Sequence, residues 1–421
     1  MTSASVLLLA LLAQNFDQRG FFENQTLFYP QTAPGDSGRV VNQDLFRWEA
    51  SYKTGDWFKL SGSFDARTDS HRQVERELRL DADDRSIARP AFSLRQLSVT
   101  LHKDFVTAEI GRQFIRWGKT DILTPTDRFA PKDYLSSVVD SDFLGVAAAR
   151  LTLTRGNDSL DLVWQPWFTP ARTPLLNQRW TVLPPEASGI AIADAGARYP
   201  GGSAVGARWN HVATGYEYSL SYYRGHDYFP LLNSQWSFTS NAISVSNSVT
   251  VPPPAVVQGT IQVQRYYPQM QMIGGDTAIQ LPWVTVKGEA GYFTSSTSGA
   301  QDYALYVIQV ERQIKEWSLV GGYAGDSVMS GPPLLAQFAP DRGFSRSFVG
   351  RASLTIDVNR SVTFETAVRA AGSFLRAEYS QAFGQHWRVT PGIAWIRGDM
   401  TDFLGQYRRN SYATLAVRYS F

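Results

Sequence analysis

The chain has 421 residues, of which 19% are charged and 13% aromatic, with no cysteine and a formal net charge of +2. The absence of thiols removes disulfides, thiolate metal sites and thiol catalysis together. A near-neutral chain without a basic run gives nucleic acid no electrostatic footing, and the lack of about 18 consecutive apolar residues beyond the N-terminus excludes helical membrane spans. A mean hydropathy of −0.24 still suits a membrane protein if each segment turns half its residues to water, as barrel strands do.

In chain order, Val6–Ala13 is an apolar run like the core of a secretory signal, so residues 1–13 form a signal-peptide-like segment. No basic residues precede it, and the start as given is expected to be incomplete. A single transmembrane β-barrel is expected over residues 18–421. Gly20–Tyr29 is a plausible first strand with mixed faces. In the next, Phe46, Trp48, Ala50 and Tyr52 alternate with Arg47, Glu49 and Ser51. The same period of two runs through Phe58–Arg67, Leu97–Leu101 and Val106–Ile110, then through Leu151–Leu153, Leu160–Trp164, Val205–Trp209 and Tyr216–Tyr222. It continues through Val284–Tyr292, Ala304–Val310, Trp317–Tyr323, Phe348–Ile356, Val362–Val368, Leu375–Tyr379 and Trp387–Trp395. With a less regular stretch near 269–280, this predicts an all-β, antiparallel, up-and-down transmembrane barrel of about 18 strands, with 16 as the alternative. Short connections near Thr54, Lys103, Gly156, Ala213, Pro282, Lys315, Asn359 and Gly384 alternate with long ones. The long segments 169–202 and 225–266 are rich in Pro, Ser, Thr and Asn, contain Trp180 and Trp236, and read as mobile surface loops, with a lid as the alternative.

The chain ends on Ser411–Phe421, where Ala413, Leu415, Val417, Tyr419 and Phe421 alternate with Tyr412, Thr414, Ala416, Arg418 and Ser420. This stretch resembles the closing strand of bacterial outer-membrane β-barrels of porin type. The resemblance implies that Tyr419 and Phe421 serve as an assembly signal and that the short turns lie at the periplasmic end. Residues alternating with the apolar ones carry charges of both signs. Arg47, Glu49, Arg67, Glu109, Arg150, Arg208, Lys287, Glu289, Arg351, Arg376, Glu378 and Arg418 are therefore expected to line a water-filled lumen.

The segment 113–142 is the strongest local feature. Arg116, Lys119, Asp121, Asp127, Arg128 and Lys132 mix with Trp117, Phe129 and Tyr134, while Pro125 and Pro131 limit its backbone freedom. As the third outer loop it occupies the position that general porins use for their constriction, so these six charged residues are the expected pore constriction. Ile110-Gly111-Arg112-Gln113 and Trp117-Gly118 also resemble alginate-export-like barrels and barrels encoded beside RND-type exporters.

Five scattered histidines show no metal-ligand spacing, and no nucleophile motif appears. No metal, cofactor or enzymatic activity is expected. The leading expectation is an integral outer-membrane porin or channel for hydrophilic or amphiphilic solutes. The alternatives are an outer-membrane component of a polysaccharide or lipid export system and a barrel sheath for an electron-transfer partner. The expected partners are outer-membrane lipid and lipopolysaccharide, the barrel-assembly machinery, and either further copies of the chain or an export-system partner; nucleic acid is not among them.

Overall fold

The computed structural model describes residues 15–121, 123–182, 191–240, 257–331 and 338–421. The signal-like segment 1–13 lies outside them. The alternation read from the sequence becomes eighteen antiparallel barrel strands. They are β1 Phe16–Phe28, β2 Val40–Thr54, β3 Phe58–Asp69, β4 Arg89–Lys103, β5 Val106–Gln113 and β6 Val146–Arg155. Next come β7 Asp158–Gln165, β8 Ala204–Ala213, β9 Tyr216–His226, β10 Gln269–Gln280, β11 Thr285–Thr294 and β12 Asp302–Ile314. The last six are β13 Trp317–Ser330, β14 Ser347–Asp357, β15 Arg360–Val368, β16 Gly372–Phe383, β17 Trp387–Gly398 and β18 Tyr412–Ser420.

Each strand pairs with the next, and β18 returns to β1 from Phe21–Ser420 to Phe28–Ala413. Closure leaves no barrel edge unpaired, the condition for strands to survive in hydrocarbon. The eight turns at one end span two to four residues, while the other end carries the long loops. Large apolar side chains such as Ile110, Leu220, Ile273, Ile308, Phe348 and Ile393 stand exposed on the outer wall. β1 begins at Phe16, earlier than the expected Gly20. Its outward positions Gln18 and Gly20 break the apolar alternation, which hid the start.

The seam has its own device. Phe421 and Gly20 exchange both backbone hydrogen bonds at 3.0 Å. The Phe421 ring occupies the space where a Cβ on residue 20 would stand, only 2.4 Å from the ring's Cζ, so glycine is required there. The same ring stacks on Phe46 at 6.1 Å.

Several loops carry structure of their own. Val74–Arg79 adds a short parallel strand beside β4. Segments of the fourth and fifth long loops build a separate sheet: Leu231–Ser240 pairs antiparallel, and Ala191–Arg198 parallel, with Val257–Tyr266. Trp180, expected on a mobile surface loop, is instead buried and packs on Tyr407 at 5.6 Å. Two one-turn helices, α1 Pro340–Gly343 and α2 Phe403–Gln406, sit in the loops before β14 and β18.

The core lies inside the barrel on one side. Ile115, Trp117 and Phe129 of the third long loop pack on inward-facing Val163, Tyr223, Met272, Phe293, Leu305 and Val307. Strand β12 is consequently apolar on both faces, with Leu305 and Val307 buried inside and Ile308 and Val310 exposed outside. Gly206 on β8 makes this packing possible, because the Trp117 and Phe129 rings approach to 2.6–2.7 Å of the place its Cβ would take. Trp117 meets Phe129 edge-on at 5.3 Å, and Phe129 meets Tyr223 at 5.0 Å, geometries favoured by the ring quadrupoles.

Candidate permeation site

The third long loop, residues 114–145, leaves β5 and returns into β6 after reaching many strands of the wall. Gln113 fixes its root, donating from its amide to the Ala148 carbonyl at 3.0 Å. Trp117 Nε1 donates to Asp161 on β7 at 2.8 Å, and Arg208 on β8 donates to the Trp117 carbonyl. Asp127 folds the first half onto itself, its Oδ1 accepting from the backbone N–H groups of Trp117 and Gly118.

Glu289 on β11 is the main anchor. Its two oxygens accept from the backbone N–H groups of Lys119, Thr120 and Thr126 at 2.8, 3.0 and 2.8 Å, and from both threonine hydroxyls at 2.8 and 2.9 Å. Hydrogen bonds to an ionised acceptor are the stronger kind, and here they hold the loop rather than face water. Lys119 reaches Glu217 on β9 at 2.7 Å.

Beyond this anchor the loop presents three carboxylates to three parts of the wall. Asp121 meets Arg351 on β14 at 2.9 Å and Lys287 on β11 at 3.4 Å, and it accepts from Gln309 on β12 at 2.5 Å. Asp140 meets Arg376 on β16 at 2.9 Å. Asp142 meets Arg47 on β2 at 3.3 Å and Arg95 on β4 at 3.2 Å. Arg376 also pairs with Glu365 at 2.9 Å, and Arg47 with Asp65 at 2.7 Å. The result is a belt of alternating charges running from β2 through the loop to β11, β14 and β16. Partial burial works against ionisation of Asp121, but hydrogen bonding from Glu311 and Gln309 and the charges of Lys287 and Arg351 outweigh it, holding the carboxyl at about 2.

The middle of the loop, residues 127–133, turns into the protein. The Arg128 side chain is only 2% exposed, sits 5.1 Å from the Tyr228 ring centroid and 5.0 Å from that of Phe293, and lies 3.7 Å from Asp341 on α1. Asp133 receives a two-pronged contact from Arg89, both bonds at 2.8 Å, and a third from Arg172 at 3.3 Å. Burial alone would raise its carboxyl, yet the Arg89 and Arg172 charges hold it well below the usual carboxylate range. Lys132 lies 4.9 Å from the Phe143 ring; burial lowers its ammonium pKa, with the charges of Arg116 and Arg128 adding to the effect. Asp227, at the start of the fifth long loop, is buried beside Asp341; burial first and that charge second raise it to about 7, against the pull of Arg128 and Arg342.

The six expected constriction residues therefore divide. Lys119 and Asp121 join the wall through ion pairs, and Arg116 is half-exposed over Phe143 at 4.2 Å. Asp127 and Arg128 are buried in protein, and Lys132 lies in the packed middle of the loop. Their charge is used up by neighbours that sequence spacing cannot reveal.

Of the expected lumen residues, Arg47, Lys287, Arg351 and Arg376 belong to the belt. Glu378, 3.8 Å from Arg376, borders it. Arg67 pairs with Asp65 at 2.7 Å. Glu289 and Arg208 are covered by the loop. Arg150 pairs with Asp161 at 2.8 Å, with Glu109 opposite it in the β5–β6 register. Glu49 pairs with Arg19 at 2.6 Å, and Arg418 with Glu23 at 2.7 Å. The sequence reading missed the brace Arg112–Asp84–Arg172–Asp133, with contacts of 2.6, 2.5 and 3.3 Å, which ties the second, third and fourth long loops together. One usable signal was overlooked: apolar residues on both faces of β12 mark a wall covered from inside.

A closed eighteen-strand barrel with an apolar outer wall, a charged inner belt and a loop meeting that belt is a barrel of the porin type. Comparison with solved structures gives the same class. OccAB4 of Acinetobacter baumannii matches with 9% identity and a TM-score of 0.54, covering 97% of this chain and 98% of that one. OccK3 (OpdO) of Pseudomonas aeruginosa matches with 10% identity and a TM-score of 0.52, covering 98% and 99%. A BenF-like porin from Pseudomonas fluorescens Pf-5 matches with 10% identity and a TM-score of 0.53, covering 97% and 98%. No family model and no curated protein matches the sequence. At these identities the likeness establishes the fold.

Proposed function

We propose that the protein is an integral outer-membrane channel that passes hydrophilic or amphiphilic solutes through an eyelet bounded by Asp121, Asp140, Asp142 and the wall cations they meet. The carrying observation is that three carboxylates of one loop each ion-pair with a different part of the wall. A surface loop packed over the rim would have no reason to reach β2, β11, β14 and β16 together. The porin-type fold supports the same reading, and so do the intermixed charges, which suit a polar solute better than a strongly selective ion path. Phe421 and Tyr419 act in this reading as the signal read by the barrel-assembly machinery, and the outer wall contacts lipid. The likeness of Ile110–Gln113 and Trp117-Gly118 to export barrels makes a polysaccharide or lipid export route the second reading, one that requires a partner below the short-turn end.

The test is conductance of the purified protein in planar bilayers. The wild type forms discrete channels, and replacing Asp121, Asp140 and Asp142 together by Ala raises single-channel conductance. A wild-type protein without channels overturns the proposal; unchanged conductance in the triple variant removes the eyelet.

A further inference from the structure

The separate sheet of the fourth and fifth long loops carries a second candidate site, away from the belt. On one face of this sheet Gln264 stands opposite Asn233, and Gln262 opposite Gln235. All four amides are exposed, and none of them makes a side-chain hydrogen bond with a described residue. Arg198 lies opposite Tyr266 in the parallel pairing and is likewise exposed. At this end the face opens into a cavity of about 530 Å³, walled by Tyr199, Tyr266 and Tyr267 and reached by Arg198, Asn233 and Gln264. Tyr199 and Tyr267 stack nearly parallel, with centroids 5.7 Å apart and planes 13° apart. Among the described residues, no carboxylate lines the cavity. The volume falls in the range of small-molecule sites, about 300–1,000 Å³.

We infer that this cavity and the amide row leading to it bind a soluble neutral oligosaccharide. Each amide offers two N–H donors and a carbonyl acceptor, the combination that adjacent sugar hydroxyls satisfy, since each hydroxyl both gives and takes a hydrogen bond. The opposite face of the sheet is spent on packing: Ile261 and Val263 are buried against Leu176, Ile192 and Leu232, and Arg265 is held by Asp194 at 2.7 Å. Among the described residues, the free face thus has four amides with no internal hydrogen-bond partner, the half-buried Tyr266 ring for the C–H side of a sugar, and one cation. An inorganic anion would leave the four amide carbonyl acceptors without a donor. A purely apolar ligand would bury them unsatisfied, which is costly. The site does not depend on the channel reading, because binding alone reports it.

The experiment uses the full-length protein in detergent micelles with maltotriose, trigalacturonate and sulfate as probes, followed by titration calorimetry. Maltotriose is expected to bind. Asn233→Ala, Gln264→Ala and Tyr266→Ala should each weaken it about tenfold, corresponding to ~1.4 kcal/mol, while Arg351→Ala in the belt leaves it unchanged. Heat-modifiable mobility confirms that each variant is folded, and bilayer conductance of the same variants, expected to be unaltered, separates this site from the eyelet. Binding of trigalacturonate or sulfate alone, lost on Arg198→Ala, makes the cavity an anion site and overturns the inference. Failure to bind maltotriose, or binding that survives the amide substitutions, overturns it too.

Discussion

Two sets of charged residues in the third long loop have opposite fates. Asp121, Asp140 and Asp142 meet partly exposed wall cations; Asp127, Arg128 and Asp133 are enclosed by protein. Asp127 and Arg128 stand just before Phe129, which packs with Trp117 on the inner wall over Gly206, so these charges are buried with the rings and must be neutralised locally.

The contrast is broken most directly at Arg128. Arg128→Ala removes the ion-pair partner of the largely buried Asp341 and one of the two cations, Arg128 and Arg342, that act on Asp227, and is expected to cost about 3–5 kcal/mol in urea unfolding from lipid vesicles. Arg351→Ala, in the exposed belt, should cost no more than about 1 kcal/mol. Equal costs would erase the distinction between the enclosed charges and the belt.

The outer wall provides the reference for a buried surface of another kind. Ile308→Arg at the middle of β12 should destabilise by about 2–4 kcal/mol, whereas Ser353→Arg, pointing inward on β14, should be close to neutral in the same assay. A similar loss at both positions would mean that the faces are assigned wrongly.

The buried junction should also respond to pH in the direction set by Asp227. Its folded pKa of about 7 lies above the ordinary value, so the native state holds a proton that the unfolded chain has lost. Stability then falls as pH rises from about 4 to 7, by at most ~1.4 kcal/mol per pH unit, and is level above that. Asp227→Asn should flatten this part of the profile; an unchanged slope would place the titration elsewhere.

The smallest expected effect on stability is at the belt, where it is instead a functional one. Asp121→Asn should alter folding by less than about 1 kcal/mol while moving the reversal potential in a salt gradient toward anions. Because its carboxyl is held at about 2, its stabilising pairing is fully present above the unfolded pKa and is lost as pH falls through the folded value of about 2. Wild-type selectivity should therefore show no step from Asp121 between pH 4 and 7.

Much of the wall was legible in the sequence for a simple reason: a strand between lipid and water shows its faces residue by residue. The turns at Gly156 and Gly384, and the clean alternation of Val284–Tyr292, appear where expected. The interior was less legible. Arg128 and Asp341 are 213 positions apart in the chain, and Arg172 reaches Asp84 across 88; local period carries no trace of such meetings. Leu305 and Val307 were the exception, since an apolar residue facing the inside of a barrel needs something to cover it.

The meeting of Phe421 with Gly20 has a consequence for how the cylinder acquires its diameter. Sliding β18 along β1 by two residues would keep every side chain on its proper face, so polarity alone cannot reject the slip. It would, however, set the terminal ring over Gln18 or Phe22, whose Cβ atoms occupy the space that Gly20 leaves free. The pair works as a key in a lock, admitting one stagger of the first and last strands and with it one tilt and one girth for the whole wall.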